Sequence, residues 1–88
     1  MASYKKKYLK HFGYGEQDFV PSENSGKPAH DIHHLLFKSL GGTDDIENLM
    51  ALTREEHDRA HNDPEYNEYL KHIHHKRLLQ LKVKIHNG

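Results

Sequence analysis

No cysteine occurs anywhere among the 88 residues, so disulfides and thiolate zinc sites are excluded from the start. Hydrophobic residues are scarce at 34%, and the mean hydropathy is −1.01. A single domain of this length buries little apolar surface and needs another source of stability. With thiols absent, the candidates are a metal held by His, Asp or Glu, and association with a second chain. No apolar run approaches the roughly 18 residues of a membrane span. The opening "MASYKKKYLK" has a basic start but no apolar stretch behind it, so it does not read as a secretion signal. One soluble, cytoplasmic domain spanning residues 1–88 is the expectation.

Acid is missing from both ends. Residues 1–10 carry Lys5, Lys6, Lys7 and Lys10, and residues 70–88 carry Lys71, Lys76, Arg77, Lys82 and Lys84, with no Asp or Glu in either. The formal net charge of zero conceals a middle with four basic residues against 13 acidic ones, a net −9. Basic flanks around an acidic centre suit a polyanion held at its edges and a cation held between them. A solvated helix face with a disordered tail fits the same pattern, and charge alone leaves the two readings level.

Local patterns divide the chain. Residues 3–12 are predicted helical, with Tyr4, Tyr8, Leu9 and Phe12 on one face and Gly13 as the stop. "GYGEQDFVPSENSGKPAHD" reads as loop and tight turns. "AHDIHHLL" reads as a short strand ending near Lys38, "SLGGTDD" as a turn using Gly41-Gly42, and "IENLMAL" as a second apolar run. Thr53-Arg54-Glu55-Glu56 fits a capping box that opens a helix to about His61. Asp63-Pro64 then opens another, whose stripe of Tyr66, Tyr69, Leu70, Ile73 and Arg77 is expected to pack on the strands. The order implies an α+β fold: a ββα unit within residues 13–62, a basic N-terminal helix over 1–12, and a basic C-terminal helix and tail over 63–88.

What the chain has in excess is histidine, ten in all and four of them between residues 31 and 61. Imidazole serves as a metal ligand, as a proton acceptor near neutral pH, or as a plain surface group. His57 and His61 lie one turn apart on the helix that Thr53 caps, a spacing that lets two rings hold one divalent ion. His33-His34 on the strand can bring a third ring to that ion. Neighbouring strand residues face opposite ways, so a shared site requires a twist or bulge at the strand end.

His33-His34, thirteen residues, Asn48, eight residues, His57, three residues and His61 together resemble the HNH endonuclease family and its ββα-metal fold, closest to its colicin-type branch. "GGTDDIENLMALTREEHDRAH" is also similar to small phage-encoded HNH proteins, and the resemblance covers roughly residues 13–62. It implies His34 as general base, His33, His57 and His61 as ligands of one divalent metal, and Asn48 as the residue that holds the loop and base in place. It also implies phosphodiester hydrolysis of DNA. Imidazole, with a pKa of about 6.5, is suited to deprotonating water near neutrality. Three protein ligands leave positions open for phosphate and water. Mn²⁺ or Mg²⁺ is expected for activity, and Zn²⁺ or Ni²⁺ as occupants of an all-imidazole site. Asp31 has two open uses, a hydrogen bond behind a ligand imidazole or a plain salt bridge. Lys5, Lys6, Lys7, Lys38, Lys71, Lys76 and Arg77 are expected to meet the DNA backbone.

One departure stands out. Many phage-type relatives hold a structural zinc with two Cys-x-x-Cys pairs, and here Ser22, Ser25, Thr53 and Glu56 occupy those positions. Hydroxyls do not replace thiolates, so no structural zinc is expected. The loop 13–28 should then be looser, or covered by a homodimer mate or other partner. His72, His74 and His75 are read as surface or DNA-backbone contacts, and His30 as a possible substitute ligand. The alternative to an enzyme is a metal-stabilised DNA-binding or partner-docking module that does not cleave.

Overall fold

The computed structural model describes residues 3–87, with side chains as far as Lys82, so the tail expected after the last helix falls on Gly88, outside them. Helix α1 (Ser3–Phe12) leads through a long loop to strand β1 (Asp31–His34). Short 3-10 turns at Lys38–Leu40 and Ile46–Asn48 carry the chain to strand β2 (Leu49–Leu52), and helices α2 (Arg54–Asn62) and α3 (Pro64–Asn87) follow. The architecture is α+β, a ββα core with a helix on either flank. No helix among the described residues is long and apolar enough to cross a membrane.

The two strands form a regular antiparallel ladder, from Asp31↔Leu52 through His33↔Met50 to His34↔Leu49. β2 is buried at all four positions, which explains its unbroken apolar run. Met50 and Leu52 face a core completed by Leu35, Ala60, Tyr66, Leu70 and Ile73. Leu49 and Ala51 face a second core with Tyr8, Tyr4, Phe12, Ile32 and Ile46. One hairpin thus lies between α2 and α1, while the later part of α3 reaches α1 through Arg77. The first strand is shorter than its sequence suggests: Leu35 N still bonds the Asn48 carbonyl (3.0 Å), but Asn48 N donates to the Asp45 carbonyl (2.8 Å) rather than back to Leu35, and the ladder stops.

Two carboxylates tie the long loop down, Glu56 half-buried and Glu23 more deeply placed. Glu56 closes the expected capping box with Thr53, its Oε1 accepting from Thr53 N at 2.8 Å. The same carboxylate accepts from Ser22 Oγ (2.5 Å) and Asn24 Nδ2 (2.9 Å), while Ser22 Oγ accepts from Ser25 N. The four positions matched to zinc cysteines therefore do meet, joined by hydrogen bonds around one acid. Burial opposes ionisation of Glu56, but the bonds from Ser22, Thr53 and Asn24 outweigh it and hold its pKa down to about 2.

Glu23 is the second anchor, its side chain fully buried. It accepts from Tyr8 Oη at 2.6 Å and meets His74 Nδ1 at 2.8 Å and Arg77 Nη1 at 3.2 Å. His74 is completely buried, with its Nε2 on the Ile46 carbonyl at 2.7 Å. The surface role expected for His74 is therefore corrected: its acceptors lie inside the fold. The loop is likewise anchored rather than loose, with a bridge between Pro21 and Pro28 and a hydrogen bond from Glu23 N to Ala51 O (3.0 Å). Tyr69 leaves the expected packing stripe and is 54% exposed, because Tyr66 and Leu70 already fill the core side of α3.

A pH-dependent test of the Glu56 anchor follows. A carboxylate whose folded pKa lies below its unfolded value stabilises fully above the unfolded pKa and loses that contribution as pH falls. The melting-temperature gap between wild type and Glu56→Gln should be full above pH 4.5 and close as pH falls towards about 2. A gap that stays constant across that window would show that the charge of Glu56 is irrelevant.

Candidate active site

The hairpin register sends His33 towards α2. There it meets His57 and His61, and one ring nitrogen from each of the three lies within 4.8 Å of the others. His33 Nδ1 and His57 Nδ1 are 3.1 Å apart. Two nitrogens bound tetrahedrally to one ion at about 2.0–2.1 Å would stand about 3.3 Å apart, so the donor set fits a single small cation. Burial falls across the trio: His33 is fully buried, His57 half-buried and His61 exposed, so the cluster opens to solvent on the His61 side. Burial pushes the His33 pKa down to about 4 and lowers that of His57, favouring the neutral ring a cation requires. Phe37 stacks on the His61 ring with centroids 4.4 Å apart and meets His33 edge-on, walling the cluster with an apolar face.

His34 faces the opposite side of the strand. No bulge interrupts the ladder, so the distortion expected at the strand end is absent and the two histidines flank β1 rather than share one face. The His34 ring lies edge-on to Tyr4 of α1, centroids 4.6 Å apart, and its Nε2 is 2.8 Å from Asp44 Oδ1. Asp44 also pairs with Lys38, and the hydrogen bond from His34 holds its carboxyl below the usual range.

Asn48 closes the loop between the strands. Its Oδ1 accepts from Leu36 N (2.7 Å), and its Nδ2 donates to Leu36 O (3.0 Å) and Thr43 O (2.8 Å). The glycine pair makes that tie possible. Gly41 adopts φ +91°, and a Cβ on Gly42 would fall 1.8 Å from the Leu36 carbonyl oxygen.

Other expected residues lie elsewhere. Asp31 takes Arg54 Nε at 2.8 Å, the salt-bridge use of its two options, and the group that bonds a cluster imidazole is Asn67, whose Oδ1 is 2.8 Å from His33 Nε2. Arg77 is corrected from a DNA contact to a fold contact: its guanidinium lies 4.1 Å over Phe12 and reaches Tyr8 and Glu23. Lys6, Lys7, Lys38, Lys71 and Lys76 are exposed and Lys5 is half-exposed, with Lys7 3.9 Å from Asp45. Lys71 and Asn67 line a cleft of about 400 Å³ with Asn48. The histidine trio does not include His30, which is exposed. Sequence reasoning missed Asp44 and Asn67; "TDD" and the first turn of α3 named them as turn and helix residues only.

Comparison with known proteins bears on this arrangement. The model of a family described as HNH endonuclease matches residues 19–63, just over half the chain. The chain belongs to the HNH endonuclease family. It is also 43% identical over 35 residues to a protein of Enterobacteria phage T4 named "Probable mobile endonuclease C", a match covering 40% of this chain and 17% of that protein. This HNH chain thus spans a small part of its relative's length. No solved structure matches it. The matched segment of the HNH chain contains His33, His34, Asn48, His57 and His61, and stops short of Asn67.

If Asn48 is what holds the HNH loop closed, Asn48→Ala leaves the Leu36 N–H and two carbonyls without their partner. Stability should fall by about 0.5–1.5 kcal/mol, since water can reach the freed groups, and the Leu36 amide should exchange with solvent markedly faster. Unchanged exchange at Leu36 would remove Asn48 from that role.

Proposed function

We propose that this chain is a metal-dependent endonuclease that hydrolyses DNA phosphodiester bonds, nicking or cutting duplex with little sequence preference. One observation carries the reading: three histidine nitrogens within 4.8 Å of one another, with an Asp-bonded histidine on the next residue of the same strand. His33, His57 and His61 hold the ion, and the exposed side at His61 leaves room for a phosphate and water. Such an ion, when bound, supplies positive charge to a phosphate oxygen and the leaving 3′ oxygen as negative charge builds there.

His34 takes the proton from the attacking water. Asp44, ionised and 2.8 Å from Nε2, accepts the Nε2 hydrogen and so leaves Nδ1 unprotonated for that task. The same carboxylate offsets the charge of the imidazolium that forms, as the acid of a Ser-His-Asp triad does. Asn48 keeps the loop carrying Asp44 closed. Lys5, Lys6, Lys7, Lys38, Lys71 and Lys76 meet backbone phosphates, so affinity should fall steeply with salt. Mn²⁺ or Mg²⁺ serves activity, and Zn²⁺ or Ni²⁺ occupies the imidazole site readily.

With Mn²⁺ or Mg²⁺, the purified chain should relax supercoiled plasmid. His34→Ala should lower that rate by about 10²–10⁴-fold, the usual share of a general base. Equal rates in the two proteins would end the assignment of His34. In equilibrium titration the wild type should take one divalent ion per chain and His57→Ala should bind it far more weakly. Several ions per chain would instead mark a histidine-rich metal buffer.

A further inference from the structure

His33 is fully buried and both of its ring nitrogens are engaged, Nδ1 facing His57 and Nε2 facing Asn67. An imidazole in this position has a choice: the neutral ring carries one hydrogen, and only the other nitrogen offers a lone pair to a cation. The orientation of the Asn67 amide decides it. Asn67 Nδ2 donates to the Leu35 carbonyl at 2.8 Å, which leaves Oδ1 as the atom 2.8 Å from His33 Nε2. Turning the amide over would set its oxygen against the Leu35 carbonyl oxygen, replacing a hydrogen bond with a repulsion between two acceptors. An amide oxygen only accepts, so His33 Nε2 must carry the hydrogen and Nδ1 must be bare, directed into the trio.

We propose that Asn67, on α3 and beyond the segment matched to the HNH family, is a positioning residue that fixes the tautomer and ring orientation of His33 for metal binding. The proposal rests on the metal-site reading above, in which His33 is a ligand. It makes the first turn of α3 part of the site, although the residues matched to the family end at residue 63. Leu35 lies two residues after His33, so Asn67 grips both the ring and the chain just beyond it. Asp63 makes that grip firm by accepting from Tyr66 N at 3.2 Å, which caps the turn from which Asn67 projects.

Two substitutions separate positioning from mere packing. Asn67→Asp keeps an acceptor for Nε2–H but cannot donate to Leu35 O, whereas Asn67→Leu loses both bonds. The full chain is titrated with Zn²⁺ against a chromophoric chelator, and melting curves of the metal-free proteins report the common structural cost. Asn67→Leu should weaken Zn²⁺ binding by about 10- to 100-fold, the typical effect of losing a partner behind a ligand. Asn67→Asp should bind at least as tightly as wild type despite a similar loss of thermal stability. A role confined to the Leu35 bond would lower both affinities together, and affinities within about threefold of wild type in Asn67→Leu would dismiss the residue altogether.

A second readout needs no metal. In ¹⁵N-labelled, metal-free protein near pH 7, the His33 Nε2 hydrogen should give a slowly exchanging signal in wild type and Asn67→Asp, and none in Asn67→Leu. Were the wild type to bind no Zn²⁺, the proposed function would fall while this signal still tested the tautomer. A wild-type His33 protonated at Nδ1 instead would overturn the inference.

Discussion

Because β1 and β2 pair residue for residue from Asp31↔Leu52 to His34↔Leu49, consecutive side chains are committed to opposite faces of a two-stranded sheet. Everything chemical in the molecule follows from that alternation. His33 is delivered to the face covered by α2 and α3, where two helical histidines wait. His34 goes to the face covered by α1, against Tyr4 and Asp44. A slip of one residue would exchange the two and bury each against the wrong partners. The register itself is held by the apolar side chains of β2, which supply one core on each face. The histidine trio and His34 are thereby kept a single residue apart, on opposite faces of one strand.

A chain without thiols meets its stability problem with carboxylates. Glu56 gathers Ser22, Asn24 and the backbone of Thr53, and Glu23 gathers Tyr8, His74 and Arg77. The two acids join residues far apart in sequence, so they close long loops much as cross-links would. They differ from a metal clip in chemistry: the buried Glu23 depends on every donor around it, and losing one partner of a buried pair costs about 3–5 kcal/mol. Among the described residues no buried side-chain polar atom lacks a partner. That completeness is what makes so polar an interior tolerable in so small a domain.

The sequence made the local features plain and concealed the distant ones. Thr53 and Glu56 announced their capping box, Asp63-Pro64 its helix start, and Gly41-Gly42 its turn, because each is decided within four residues. The spacing of His33, His34, Asn48, His57 and His61 pointed to the right family, since that pattern is tied to one fold. Asp44, Asn67 and Glu23 gave no such hint. Their partners are His34, His33 and His74, at separations of 10, 34 and 51 residues, and no local rule predicts which acid or amide will meet which ring. Arg77 misled for a related reason: a basic residue in a basic segment suggests a polyanion until a buried acid and an aromatic ring claim it.

One corner ties the helices together with almost no slack. Asp63 is at once the residue that ends α2 and the cap that begins α3. His61 and Asn67, on either side of it, therefore belong to a single rigid bracket rather than to two hinged arms. An α-helix turns by about 100° per residue, so lengthening the bracket by one residue would swing an amide near position 67 to another quadrant of the helix. The spacing across this corner is as much a part of the histidine cluster as the histidines themselves.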